Sequence, residues 1–267
     1  MSNIRCVVVI PMFGKEEYTN KCIEKVTHNY GTGEPIEILV VDDGSETPYE
    51  NPKVNVLRLD KNSGFTNAAN QGILWAQYRN SDYVLLLNND TEPELGFLQE
   101  LLLVSEADES IGISCSVRYH PTRPEHPYEL CGSDLIRGYQ HFTDKETLNN
   151  APAVIDCNWI PLCSALMRMD MIRDVGLLDK RYRNHCSDSS YCIEAKIRGW
   201  KVVLVPTSIV THHLSVTTTA NKVKVEDDQR IFLERLAGLD YQKLMREMPL
   251  DGEAKTFGKL DFTVYKK

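Results

Sequence analysis

Residues 36–45 read IEILVVDDGS, a mostly apolar, β-branched run that stops at two aspartates, a glycine and a serine. Such a run suits a strand covered on both faces, as in a parallel sheet. Asp42-Asp43-Gly44-Ser45 is a strong turn signal, so the acidic pair falls just past the strand's carboxyl end. The same grammar recurs on either side. IRCVVVI at 4–10 ends at Pro11, VNVLRL at 54–59 precedes Asn62-Ser63-Gly64, YVLLL at 83–87 runs into Asn88-Asn89-Asp90, and IGISCSV spans 111–117. Between them, helical spacing covers Lys15 to about Asn29, with Tyr18, Cys22, Ile23 and Val26 on one side, and again Phe65 to Tyr78. A third helix is expected to open near Pro93, where Glu92 and Glu94 would complement its dipole. Parallel neighbours need crossover helices, so this alternation implies a doubly wound α/β fold with a mostly parallel sheet. Ligands of such sheets bind at the carboxyl ends of the strands. Pro11-Met12-Phe13, Asp42-Asp43-Gly44-Ser45 and Asn88-Asn89-Asp90 all fall there.

The rest of the chain is less regular. Residues 118–152 are rich in Pro, His and Gly and read as loops with short strands, and order returns at 159–169 (WIPLCSALMRM). A helix is expected over Asp188–Arg198, a strand over 201–205 (KVVLV) ended by Pro206, and charged, partly amphipathic helix from about Val225 to Met248. These readings give one domain over 1–220, with 1–117 as its first half and 118–220 as its second, followed by a helical tail over 221–267.

Composition narrows the function. The 267 residues carry 42% hydrophobic and 25% charged side chains, an ordinary globular balance. Thirty Lys and Arg against 38 Asp and Glu leave a net charge of −8, which argues against a protein built to grip nucleic-acid backbone. No apolar run reaches the ~18–20 residues of a membrane span, and no basic, apolar and small-residue leader opens the chain. The expected compartment is the cytosol, at most on the periphery of a membrane. Eight scattered cysteines, without a C-x-x-C pair, read as free thiols buried as small hydrophobes rather than as disulfides or zinc ligands.

The first strand is not followed by G-x-G-x-x-G or by Walker-type glycines and lysine. Carboxylates at strand ends are poor partners for phosphate. They make sense if one reads a base or ribose and another holds a divalent cation that meets a pyrophosphate.

Six segments, VVVIPMF (7–13), LVVDDGS (39–45), NSGFTNAANQG (62–72), LLLNND (85–90), GLLDKRY (176–182) and GWKVVLVP (199–206), resemble the successive motifs of glycosyltransferase family 2. The resemblance covers roughly residues 4–215 and is closest to the rhamnosyltransferase-like branch. It implies the GT-A fold and transfer of a sugar from a nucleotide diphosphate donor, with inversion at the anomeric carbon. It also implies donor contacts from Pro11, Phe13, Asp42, Asp43, Asn62, Asn88 and Asn89, with Asp43 the better of the two aspartates. Asn88-Asn89-Asp90 stands at the family's metal-binding D-x-D position, so Asp90 would hold Mn²⁺ or Mg²⁺, hard cations that take oxygen ligands. His212 stands where the family completes the metal site; His213, its neighbour on a strand, should face the other way. Asp43 could instead serve only its turn, and Asp90 could cap the next helix.

The family's general base is an Asp in a Glu-Asp pair, and the resemblance carries that role to Asp188. Here Ser187 replaces the Glu and Ser190 a frequent second Asp. A carboxylate suits the task, because the hydroxyl loses its proton only as the glycosidic bond forms. Asp188 could also be the N-cap of the following helix. Asn62-Ser63-Gly64, Asn70 and Gly72 are family-like and read as shaping the pocket and letting a helix approach the sheet. Trp159 and Cys163 stand where the family lines its acceptor site, with Pro161-Leu162-Cys163-Ser164 in place of the usual Gly-containing stretch. The Q-x-x-R-W signature of processive synthases is missing, so one sugar per encounter is expected. UDP- or dTDP-sugars are the expected donors. A glycan, a lipid-linked glycan or another hydroxyl bearer is the expected acceptor, with a nucleic acid disfavoured by the acidic charge. The competing classes are a nucleotide-sugar binder without transfer activity, made thinkable by Ser187 and Ser190, and a nucleotidyltransferase, which would need a Gly-rich basic loop that Pro11-Met12-Phe13-Gly14-Lys15 poorly replaces.

Overall fold

The structure, a computed structural model, describes residues 4–134, 139–213, 225–239 and 253–256. Its first part alternates strand and helix: β1 (Cys6–Met12), α1 (Glu16–Asn29), β2 (Ile36–Asp42), β3 (Asn55–Arg58), α2 (Phe65–Tyr78), β4 (Tyr83–Leu87), β5 (Thr91–Pro93), α3 (Phe97–Ala107) and β6 (Ile111–Tyr119). Then come β7 (Tyr128–Asp134), β8 (Tyr139–Thr143), α4 (Lys145–Asn149), β9 (Ile155–Asp156), β10 (Ser164–Arg168) and α5 (Met169–Val175). The last elements are α6 (Ser187–Ile197), β11 (Lys201–His212), α7 (Val225–Ala237) and β12 (Glu253–Thr256).

One large sheet runs in the order β12-β8-β7-β6-β10-β4-β1-β2-β3, with β11 beside β6 and the short β5 and β9 paired to β11. β1 lies between β2 and β4, parallel to both, and every residue from Cys6 to Ile10 is fully buried. Its side chains alternate between two cores. Val7 and Val9 pack on the α2 side with Ala69 and Ile73, while Cys6, Val8 and Ile10 pack on the α1 and α3 side with Cys22, Leu98 and Leu101. Close approach of α2 depends on Gly72, where a Cβ would overlap the methyl groups of Val9. Asn70 adds a polar clasp there, donating to the Leu178 carbonyl at 2.8 Å and accepting the Leu178 N–H at 3.0 Å.

The register levels the strand ends. Met12 of β1 stands opposite Asp42 of β2, and Val9 opposite Leu86 of β4, so the turns after all three open on one edge. The parallel reading holds for β3-β2-β1-β4 and for β6 with β11. The second half differs: β10 enters antiparallel between β4 and β6, and β7, β8 and β12 continue antiparallel.

Three local expectations are corrected. Pro93 ends β5 instead of opening a helix, because β5 pairs with β11, and α3 starts four residues later behind Gly96 in left-handed backbone. Pro206 does not end its strand. β11 runs on to His212 through a register shift between Val205 and Ile209, a bulge that removes the need for the missing N–H. The C-terminal helix α7 stops at Ala237 and docks on the core through Phe232 and Leu236. The stretch 240–248 and the boundary at 220/221 lie outside the described residues. Among the described residues no helix is long and apolar enough to cross a membrane, and seven cysteines are free thiols, all but Cys186 buried.

Gly72→Ala should lower stability by about 1–3 kcal/mol, because overpacking against Val9 outweighs the better helix propensity of Ala. Urea denaturation measures it, and an unchanged midpoint would show that α2 does not seat on β1 at this point.

Candidate functional site

The levelled edge of β1, β2 and β4 forms one side of a cavity of about 910 Å³. Pro11 and Phe13 from β1 and its turn, Asp43 after β2, Asn62 before α2 and Asn88, Asn89 and Asp90 after β4 all line it. The lining is completed by Cys163, Arg118 at the end of β6, Arg181 and residues 183–185 of the loop before α6, Asp188 in α6 and His212. The three sequence-distant aspartates Asp43, Asp90 and Asp188 therefore share one cavity.

Two expected contacts stand elsewhere. Asp42 is fully buried off the cavity, accepting the N–H groups of Ser45 at 2.9 Å and Tyr49 at 3.1 Å and ion-pairing with Arg58. Burial alone would raise its carboxyl, but these donors hold it below the usual carboxylate range. A carboxylate so engaged, fully buried and off the cavity lining, shapes the turn instead of facing a ligand. Trp159 packs in the core instead of lining the cavity.

Asp43 accepts the Ser63 N–H (2.8 Å), the Ser63 hydroxyl (2.7 Å) and the Gly64 N–H (2.8 Å). An ionised carboxylate has about four acceptor sites, so Asp43 both fixes this loop and keeps capacity on the cavity side. Gly64 is obligatory there: its φ is +93°, and a Cβ would come within 2.6 Å of the Arg183 carbonyl oxygen.

Asp90 does not cap a helix, since the next one opens seven residues on. Pairing of β5 with β11 sets His212 opposite Thr91 and brings its Nε2 to 3.2 Å from Asp90 Oδ1. Asn88 Nδ2 stands 3.4 Å from the same nitrogen. His213 faces away, its Nε2 2.6 Å from Glu92 Oε1. Two ligands about 2.1 Å from a hard cation on neighbouring octahedral corners stand about 3 Å apart, so the Asp90–His212 pair fits such an ion. Among the described residues no cluster of three or more His, Cys, Asp or Glu could hold a metal, so further ligands would have to come from the substrate and water.

Asp188 is the second residue of α6 and not its N-cap, which is Cys186. Its Oδ1 accepts the Ser189 N–H at 2.8 Å. Burial pushes its carboxyl above the usual range, against the pull of that N–H, Arg118 and His185. A raised carboxyl is a stronger base.

Sequence reasoning missed the charges beneath this half of the cavity. Arg118 pairs with Glu129 of β7, whose other oxygen lies 2.6 Å from His120 Nε2, and all three are almost fully buried. Burial alone would raise Glu129, but Arg118 and His120 hold it below the ordinary range, so the carboxylate stays charged. The available signal was a charged residue at the end of one apolar strand and inside the next.

The family model for glycosyl transferase family 2 matches residues 7–169, which include Asp43 and Asp90 and stop short of Asp188 and His212. Among solved structures the fold is similar to the crystal structure of GalNAc-T7 with UDP, GalNAc and Mn²⁺, at 15% identity and a TM-score of 0.62. The likeness covers 79% of this chain and 44% of that one, so the chain spans under half the length of that protein and the likeness speaks for the fold. No curated protein matches the chain.

The raised Asp188 carboxyl has a stability signature. The folded state holds this proton more tightly than the unfolded chain, so stability falls as pH rises from the unfolded value through the folded one. Asp188→Asn removes that loss: its melting temperature should exceed wild type at pH 7, by a margin that shrinks toward pH 4. A margin that is absent or grows on acidification would contradict the raised carboxyl.

Proposed function

The chain belongs to glycosyltransferase family 2, and on that premise we propose that it moves a sugar from a nucleoside diphosphate donor to an acceptor hydroxyl, with inversion at the anomeric carbon and Asp188 as the general base. The observation that carries this reading is the convergence of Asp43, Asp90 and Asp188 on one cavity.

The nucleoside lies against Pro11, Phe13, Asp43 and Asn62, with Asp43 accepting from the base or ribose. Asn88 and Asn89 follow toward the diphosphate. Asn89 is held by its Nδ2 donating to Thr19 at 3.1 Å, so its carbonyl oxygen is left for the ligand. Asp90 and His212 would hold a divalent ion, Mn²⁺ or Mg²⁺. Bound there, it supplies positive charge against that growing on the departing diphosphate. The acceptor enters past Cys163 and the Arg181–His185 loop. Its oxygen bonds to the anomeric carbon from the face opposite the diphosphate, the bond to the diphosphate oxygen breaks, and the hydroxyl proton passes to Asp188. Burial makes Asp188 the more basic, and the positive charge of Arg118 works against that rise.

UDP is the first donor nucleotide to test, since the similar GalNAc-T7 structure holds it with Mn²⁺, and dTDP-sugars are the second. The acceptor is a glycan or another neutral hydroxyl bearer, in keeping with the net charge of −8.

A panel of UDP- and dTDP-sugars, assayed with Mn²⁺ or Mg²⁺ for nucleoside diphosphate release, separates an enzyme from a mere binder. Asp188→Asn should cut turnover by at least about 100-fold while UDP binding persists in calorimetry; undiminished turnover would remove Asp188 from the mechanism. Asp90→Ala should weaken UDP binding with Mn²⁺ present and leave it unchanged without, whereas a loss independent of metal would rule out the ion-holding role.

A further inference from the structure

Helix α7 lies beyond the residues that the family model matches, yet its first turn reaches the cavity wall through Asp227 and Asp228. Asp228 is 2% exposed, and its carboxylate accepts three consecutive main-chain N–H groups. Arg183 donates to Oδ1 at 2.8 Å, and Asn184 and His185 donate to Oδ2 at 2.9 and 2.8 Å. Successive amides wrapped round one anion make a concavity that favours negative charge, and hydrogen bonds to a charged acceptor are the strong ones.

Two of these residues, Arg183 and Asn184, are also held by the start of α2 and the loop before it. The Arg183 carbonyl accepts the Thr66 N–H at 3.1 Å, Asn184 Oδ1 accepts the Phe65 N–H at 3.0 Å, and the Arg183 guanidinium donates to Asn62 Oδ1 at 2.6 Å. The loop is thus clamped between two helices immediately before α6. Cys186 then takes left-handed backbone, φ 59°, and Asp188 follows two residues later. Non-glycine residues adopt that conformation only where their surroundings impose it. α7 is itself tied to α6 by an Arg235–Glu194 ion pair at 2.6 Å, and its Phe232 and Leu236 are buried in the core.

We propose that Asp228 is a positioning residue for Asp188. Its carboxylate sets the loop that launches α6 and hence the point in the cavity at which the base stands, while Asp43 sets the donor half through Ser63 and Gly64. The inference rests on the reading of Asp188 as the base. Loss of the Asp228 carboxylate therefore slows the chemical step and spares nucleotide binding.

The test uses the full chain, UDP with Mn²⁺ as the binding probe, and the donor sugar that the wild type turns over fastest. Asp228→Asn offers one acceptor oxygen and sets an NH₂ group against backbone donors. It should speed amide exchange at residues 183–185 and lower kcat by about 10–100-fold, as a small misplacement of a reacting group does. UDP affinity and donor KM should change far less than kcat, because Asp43 keeps its hold on Ser63 and Gly64 and only the Arg183–Asn62 contact adjoins the altered loop. Asp228→Glu, which keeps the charge one methylene further out, should recover part of kcat and guards against a variant that merely unfolds. Because Asp228 acts through Asp188, the double variant Asp188→Asn/Asp228→Asn should be no slower than Asp188→Asn alone.

An unchanged kcat despite faster exchange, a parallel loss of UDP affinity, or an additive loss in the double variant would each overturn the proposal. Failure of the underlying reading shows elsewhere: Asp188→Asn alone would then turn over like the wild type, or the wild type would release no nucleoside diphosphate from any donor.

Discussion

The parallel seating of β1 between β2 and β4 is the constraint on which the rest depends. β1 is buried on both faces, so its backbone N–H and C=O groups must be paired on both sides, and the two neighbouring strands do this. That pairing sets Met12 beside Asp42 and carries β4 to the same level. The turns that follow cannot re-enter a sheet already closed on both sides. They gather at one edge, with their polar side chains facing one cavity. Asp42 shows what holds this edge rigid: buried and charged, with Arg58 and two backbone amides as partners, it stiffens the turn from which Asp43 projects.

The second half of the cavity is assembled by different means. β10 runs antiparallel beside β4, so that the Asn88 N–H meets the Cys163 carbonyl at 2.9 Å. β11 pairs with β5 over three residues and delivers His212 to Asp90 across 122 positions of chain. Both are pairings between distant strands. The buried Arg118–Glu129–His120 group lies beneath them, with its charges compensated internally. A positive charge near Asp188 is thus kept at a depth where an unpaired arginine would be costly.

Much of the first half was legible from sequence, and for a physical reason. A strand covered on both faces must be apolar where it is buried, and 6–10, 39–41 and 83–87 are. The helix over Phe65–Tyr78 was legible to its ends because Gly64 and the loop before it break the pattern. Pro93 misled because its ring fits a first helical turn as well as an edge strand, and only the partner strand β11 decides between them. Pro206 misled because a bulge hides the missing N–H. Residue type does not separate Asp42 from Asp43, and only the family resemblance favours Asp43. One points into the turn and Arg58, the other toward the cavity, and that depends on which way the backbone leaves β2.

The linear chain alone determined the alternation of strand and helix, the sheet's parallel core and the placing of polar clusters at strand ends, since these follow from local periodicity and turn chemistry. Tertiary structure alone decided which clusters meet. It put Asp188 and His212 in the cavity with Asp43 and Asp90, turned Asp42 and Trp159 away from it, and brought α7 to the loop before α6 through Asp228. Such meetings depend on strand register and helix docking, which are set by burial summed over the whole core and leave no mark on any short stretch of residues.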